Sequence, residues 1–489
     1  MPAPPSIPDL IERYQASLTH VAKRDMGRQE ICREFIDPFL KSLGWDTKKS
    51  GECTKGRIGI NRDIPFRING RMKSIDYVLC TQTGGVLAIM IGDPSAAGPG
   101  TAGGVLDLRR YAWNAGLQLA ILTNFGESAV YDATIPVQCG DDAATARIAM
   151  VTVDRYEKKW DRIAAVISQE CALRGSIGFF LKERKGGEGE AGIRKMLYND
   201  MDEWRLLLAK RIALHNHGLS PVAINEVVQQ ILNRILLLRI MEDRGIGQYG
   251  LLWRVTEGGS AYGRLCGLFR YAEDEYGGGL FHFTEGKGTD EPSDALTFTL
   301  SVDDEAVKKI ITRLSPPQSP YEFSVIPAQV LAEVFSQFLG RVIRLTTGHQ
   351  ALVEERPEVR KAGDHSGPLQ EIAGYIASKT LFELVNGKTP RDISGLHLLD
   401  PACGSGLVLV MAYEFLLEWH LSWYKENHLP VLDRGEYSPD DTRGFLPGLR
   451  EERETGRALP VTCCTIREWD STREEMAWKL TAGERKRIL

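Results

Sequence analysis

The chain has 489 residues, 43% hydrophobic and 26% charged, with a formal net charge of −5. That length suits roughly two to four domains with real cores, and the acidic balance gives no global pull toward nucleic acid. The opening MPAPPSIPDL lacks a charged-then-apolar leader, and no apolar run reaches the ~18 residues of a membrane span, so a cytoplasmic protein is expected.

In chain order, residues 10–44 carry apolar side chains at helical spacing. The rhythm changes over 61–135, with short strand candidates at 75–79, 85–91, 117–122 and 129–131 and a helix at 106–114. Residues 182–192 (KERKGGEGEAG) have linker composition. Residues 193–345 read as helical, and Ile224, Val227, Val228, Ile231, Leu232, Ile235, Leu236 and Leu238 cover most of one helix surface, which predicts a central position. Breaks fall at 277–280, 315–320 and 364–368. A final α/β segment follows.

That segment holds the most informative stretch, Asp400-Pro401-Ala402-Cys403-Gly404-Ser405-Gly406. It follows the apolar run 395–399 (GLHLL) and precedes 407–413 (LVLVMAY), which reads as strand, glycine turn, helix. Glycines let backbone approach a ligand, and a helix N-terminus offers free N–H groups. Leu409 stands where a dinucleotide fingerprint places its third glycine, so another adenosine-containing cofactor is the better reading.

Elsewhere the residues speak less. Nine cysteines without a CxxC pair read as unpaired thiols. His365 and His420 have no partner at metal spacing, and His420, beside Trp419 and Trp423, is expected at a surface or interface. Between 205 and 244, Arg205, Lys210, Arg211, Arg234, Arg239 and Arg244 outnumber Glu226, Glu242 and Asp243. They contact DNA phosphates or form structural ion pairs; Arg234 and Arg239, in the most apolar helix, favour the ion pairs.

DPACGSG resembles the S-adenosylmethionine loop of adenine-specific DNA methyltransferases. The segment order is similar to type IIG restriction–modification fusions, on the stretches 34–46 (EFIDPFLKSLGWD), 109–113 (RRYAW), 121–125 (ILTNF), 238–245 (LRIMEDRG), 320–323 (PYEF) and 337–340 (QFLG). The resemblance implies a restriction-nuclease-like α/β domain over 1–180, a linker over 181–192 and a helical connector over 193–350. Residues 351–489 would be the N-terminal part of a Rossmann-like methyltransferase domain. Residues 400–406 would hold the cofactor, Asp400, Gly404 and Gly406 at its methionine end.

The resemblance also implies a PD-(D/E)xK metal site, which needs two carboxylates and a lysine. Asp76 matches the first carboxylate and Asp63 an accessory acid. Met90 and Gly92 stand where Glu and Lys are expected, and Asp107 replaces a glutamine four residues before the retained Tyr111. Magnesium and cleavage are therefore not expected. The base-flipping Asn/Asp-Pro-Pro-Tyr/Phe motif does not follow Gly406; Ser315-Pro-Pro-Gln318 lacks its aromatic.

These readings lead to an adenine-specific methyltransferase of a restriction–modification system, present as an incomplete chain. A non-catalytic DNA- or partner-binding remnant and a metal-dependent endonuclease are the alternatives. Double-stranded DNA is the expected partner, through Arg62, Arg67, Arg71, Lys73, Lys210 and Arg211. A separate polypeptide would carry the rest of the methyltransferase and the target-recognition domain.

Overall fold

A computed structural model describes residues 3–21, 27–47, 58–82, 84–92, 100–185, 192–276, 279–284, 293–348, 350–356, 369–401, 403, 406–427, 465–470 and 475–480. The chain divides into two compact units, Met1–Arg356 and Pro357–Leu489.

In the first unit, α1 (Ser6–Val21), α2 (Arg28–Ile31), a π-helical turn (Cys32–Ile36) and α3 (Asp37–Ser42) precede a sheet. Its strands are β1 (Gly59–Ile68), β2 (Arg71–Thr81), β3 (Gly84–Ile91), β4 (Leu119–Thr123), β5 (Glu127–Asp132) and β6 (Arg147–Thr152), with α4 (Ala102–Asn114) crossing from β3 to β4. The six strands lie in sequence order; β3 and β4 are parallel and every other pair is antiparallel. A helix between two parallel neighbours is what a crossover requires. β3 is apolar throughout because both faces are covered. Leu87, Ile89 and Ile91 pack with the N-terminal helices, whereas Ala88 and Met90 pack toward Leu108, Tyr111 and Ala112 of α4. The sequence reading located β2 to β5 and missed β1 and β6. These flank the sheet, and their exposed or half-buried positions interrupt the apolar pattern.

Helices α5 (Trp160–Ile167), α6 (Gln169–Leu173) and α7 (Ser176–Lys185) close the α/β part. The helical part begins with α8 (Ile193–His215) and α9 (Pro221–Arg244). Ser220 caps α9 by accepting the Ala223 N–H, Pro221 occupies its first turn, and Gly245, at φ 70°, ends it. The eight apolar residues from Ile224 to Leu238 named above are all buried, as their spacing predicts. Around it pack α10 (Leu251–Arg254), α11 (Ala261–Tyr276), α12 (Leu296–Thr299), α13 (Asp304–Leu314) and α14 (Ala328–Leu339). A hairpin of β7 (Arg341–Leu345) and β8 (Ala351–Glu355) follows.

The second unit contains α15 (Leu369–Val385), α16 (Leu407–Asn427) and a hairpin of β9 (Thr465–Asp470) and β10 (Glu475–Leu480). Leu381, Val385, Ile393, Ala412 and Leu416 form its small core. Residues 395–399 are not a strand, contrary to expectation, and Leu399 is 87% exposed. Among the described residues the strands of this unit pair only with each other. An apolar run without a ladder partner does not become a strand. Of the cysteines, Cys32, Cys139, Cys171, Cys266 and Cys403 are free, whereas Cys80 is disulfide-bonded, which departs from the expected set of unpaired thiols.

Candidate functional site

Three places carry the sequence-predicted chemistry. The first is the end of the sheet where β2 and β3 part. Their last paired residues are Tyr77 and Ile89, one step before Asp76 and Met90. Asp76 is 5% exposed, and both its oxygens are engaged. Arg28 donates from Nε to Oδ1 at 2.5 Å and from Nη2 to Oδ2 at 2.6 Å, and the Ile91 N–H donates to Oδ2 at 2.6 Å. Burial raises the Asp76 pKa, and Arg28 and the Ile91 amide oppose that rise. Asp63 falls opposite Asp76, between the pairs Arg62–Tyr77 and Ile64–Ile75, and has the left-handed φ of 47°.

Met90 is buried in the same apolar cluster as Tyr111, which packs edge-on against Phe66 at 4.9 Å. Tyr111 is thus a core residue. Gly92 offers no side chain, and its N–H bonds the Thr123 carbonyl at 2.8 Å. Asp93 lies outside the described residues. One carboxylate saturated by arginine and amide, beside a thioether and a glycine, does not fit a magnesium ion, which needs hard oxygen ligands. Among the described residues no group of three or more His, Cys, Asp or Glu side chains is placed to hold a metal. Sequence reasoning missed Arg28, because its partner lies 48 residues away.

The cations proposed to face DNA divide by their surroundings. Arg62 donates to Asp37 Oδ1 at 2.7 Å and to the Thr47 carbonyl at 2.9 Å. Lys73 pairs with Asp107, and Arg211 lies 3.4 Å from Asp303. Arg67 packs against Gly245, where an added Cβ would meet its Cζ at 2.6 Å. Arg71 and Lys210 are exposed. The connector arginines are mostly spoken for. Arg205 donates to the carbonyls of Phe338 and Arg341. Arg234 pairs with Asp294 at 2.7 Å. Arg239 pairs with Glu242 at 2.9 Å and with Asp243. Arg244 bonds the Phe323 and Ile326 carbonyls rather than an acid.

The second place joins the sheet to the helices. Segment 319–324 lies between α4 and α9. Asn114 Oδ1 accepts the Glu322 N–H at 2.8 Å, and its Nδ2 donates to the Pro320 carbonyl at 3.1 Å. Asp243 Oδ2 accepts the Phe323 N–H at 3.0 Å. Ser324 Oγ accepts the Arg67 N–H at 3.3 Å and donates to the Arg67 carbonyl at 2.7 Å. Tyr321 donates its hydroxyl to Asp200 at 2.7 Å. Glu322 is 1% exposed, and neither carboxyl oxygen has a hydrogen-bond partner. Burial, and then Asp243, raise its pKa well above the ordinary glutamate range. Burial also raises Asp243, but the Arg239 guanidinium and the Phe323 amide favour its charged form. Burial and the neighbouring Asp243 favour the protonated form of Glu322.

The third place is the glycine loop. Gly406, at φ 77°, immediately precedes α16; its N–H bonds the Cys403 carbonyl at 2.8 Å and its carbonyl accepts the Val410 N–H at 2.9 Å. Asp400 is half-buried, and Pro401 and Cys403 are exposed. Ala402, Gly404 and Ser405 lie outside the described residues, as do His365 and residues 363–368. An acid, a left-handed glycine and a helix start fit a nucleoside cofactor in part; the supporting strand does not form. His420 is buried rather than at a surface, with Nδ1 2.7 Å from the Leu416 carbonyl. A ring between Trp419 and Tyr424 is large enough to fill a small core.

No protein-family model matches the chain. The chain is 25% identical over 420 residues to the type II restriction enzyme and methyltransferase RM.Eco57I of Escherichia coli. That alignment covers 86% of this chain and 41% of the relative, so the chain spans less than half the relative's length. The similarity relates the chain to a restriction–modification enzyme. The crystal structure of the type IIG restriction endonuclease BpuSI is 14% identical, covering 78% of this chain and 36% of that one at a TM-score of 0.18. No described helix is long and apolar enough to cross a membrane.

Proposed function

We propose that this chain is a component of an adenine-specific DNA methyltransferase of a restriction–modification system, acting on double-stranded DNA in the cytoplasm. The observation that carries the reading is the similarity to a restriction–modification enzyme over 420 residues, which extends across 86% of the chain. DPACGSG, leading into a helix of 21 residues, supports S-adenosylmethionine as the cofactor. Residues 1–180 serve as a non-cleaving, nuclease-like α/β domain, 193–350 as the connector and 351–489 as part of the methyltransferase domain. Asp400 and the loop glycines hold the methionine end of the cofactor. The cofactor would supply the methyl group; the residues of this chain bind and orient it.

No Asn/Asp-Pro-Pro-Tyr/Phe motif occurs in these 489 residues. On this reading the adenine-binding motif and the target-recognition domain are not among these residues. Calorimetry with S-adenosylmethionine tests the cofactor assignment. Binding weaker than micromolar, lost in Asp400→Ala, is expected, because cofactor contacts come from several strand ends. Absence of detectable binding, or binding indifferent to Asp400→Ala, overturns the assignment; sub-micromolar affinity overturns only the expectation that this chain holds the cofactor weakly by itself. A second reading, a DNA- or partner-binding remnant without methyl transfer, is favoured by the lack of strand structure at 395–399.

A further inference from the structure

We infer that Arg28 is a built-in cation that stands where a metal-dependent sheet of this shape would hold a divalent ion. The acids at the end of the sheet have kept a positive partner, but it is covalently part of the chain. The inference concerns this sheet alone and does not depend on the cofactor reading.

Asp76 is buried, and Asp63 faces it across β1 and β2. A buried carboxylate with a second acid beside it costs several kcal/mol unless a cation and donors satisfy it. Arg28 meets the need. Its fork binds both Asp76 oxygens at 2.5 and 2.6 Å, and its Nη2 also lies 3.3 Å from the Ser74 carbonyl. Burial works against the Arg28 charge, but Asp76 above all, with Cys32 and Asp63 after it, more than compensates, so its pKa is raised. The Ile91 amide takes the remaining approach to Oδ2.

Geometry adds the second half. Arg28 opens α2, whose Ile31 is fully buried in the core formed with β3 and β4. The guanidinium is therefore anchored by the N-terminal helices and bridges them to β2, as a bound ion would bridge strand ends. A planar fork matches a carboxylate bidentately, and lysine cannot reproduce it. With Met90 and Gly92 in the neighbouring positions, an ion entering there would have to displace an arginine and gain almost no oxygen ligands in return.

The test is a pair of measurements on the full chain. Electron paramagnetic resonance counts bound Mn2+, and thermal denaturation is followed with and without millimolar Mn2+. The unaltered chain is expected to bind no Mn2+ at this site and to show an unchanged Tm. Arg28→Ala is expected to lower the Tm and to gain weak Mn2+ binding that the unaltered chain lacks, because removing the guanidinium leaves Asp76 and Asp63 without a cation. Mn2+ should restore part of the Tm in Arg28→Ala, but not in the double change Arg28→Ala with Asp76→Asn. Arg28→Lys should fall between, since it keeps the charge and loses the fork. Mn2+ binding by the unaltered chain that disappears in Asp76→Asn overturns the inference. So does an Arg28→Ala chain with unchanged Tm and no new Mn2+ affinity. If Arg28→Ala fails to fold, Arg28→Lys and the unaltered chain decide the question through the same two readings.

Discussion

Asn114 holds the Glu322 backbone through a 2.8 Å hydrogen bond from one main-chain amide to one side-chain oxygen, 208 residues apart in sequence. The same side chain donates to the Pro320 carbonyl, so one amide satisfies a donor and an acceptor of a buried loop. Through this contact the α/β part and the helical part share one unit.

Replacing Asn114 by alanine leaves the Glu322 N–H and the Pro320 carbonyl buried without partners. Each unsatisfied buried group costs about 1–3 kcal/mol. The expected loss is ~2–4 kcal/mol in urea denaturation, with the two parts melting separately. An unchanged midpoint would show that the loop is held by packing instead.

The same loop makes stability depend on pH. Burial, and then Asp243, hold the Glu322 pKa above that of an ordinary glutamate in the folded chain. The folded state therefore binds the proton more tightly than the unfolded state. Its contribution is full below the ordinary glutamate pKa and is lost as pH rises through the raised folded value. Denaturation across that range should show stability falling with pH, by up to about 1.4 kcal/mol per unit from this group. Glu322→Gln should flatten the slope. A slope unaltered by that change assigns the effect to another acid.

How much of this was legible in the sequence follows from what each residue needed. The strands at 75–79 and 85–91 are mostly apolar runs, buried on both faces, and announced themselves, as did α9 through the apolar positions from Ile224 to Leu238. The Arg28 partnership was not legible, since it joins α2 to β2 across 48 residues. Leu398 and Leu399 mark the opposite failure. The run reads as a buried strand, yet a strand exists only with neighbours, and both side chains are exposed.

The basic residues should separate by their surroundings when DNA binding is measured. Arg71 and Lys210 are exposed, so Arg71→Ala and Lys210→Ala are expected to weaken duplex binding and reduce the dependence of affinity on salt, by about one phosphate contact each. Arg62→Ala should instead lower the Tm, because its guanidinium is bound to Asp37 and Thr47. Fluorescence anisotropy over a salt series distinguishes the two. A salt slope unchanged in Arg71→Ala and Lys210→Ala would place the interface elsewhere.

Supercoiled plasmid, incubated with this chain and magnesium or manganese at low and physiological salt, then run on an agarose gel before and after protease, tests the central claim most directly. A chain that holds DNA without cutting it should retard the plasmid at low salt and release it as salt rises. After protease the plasmid should be supercoiled still. Nicked or linear product that disappears in Asp76→Ala would contradict the account, as would the absence of any retardation at low salt.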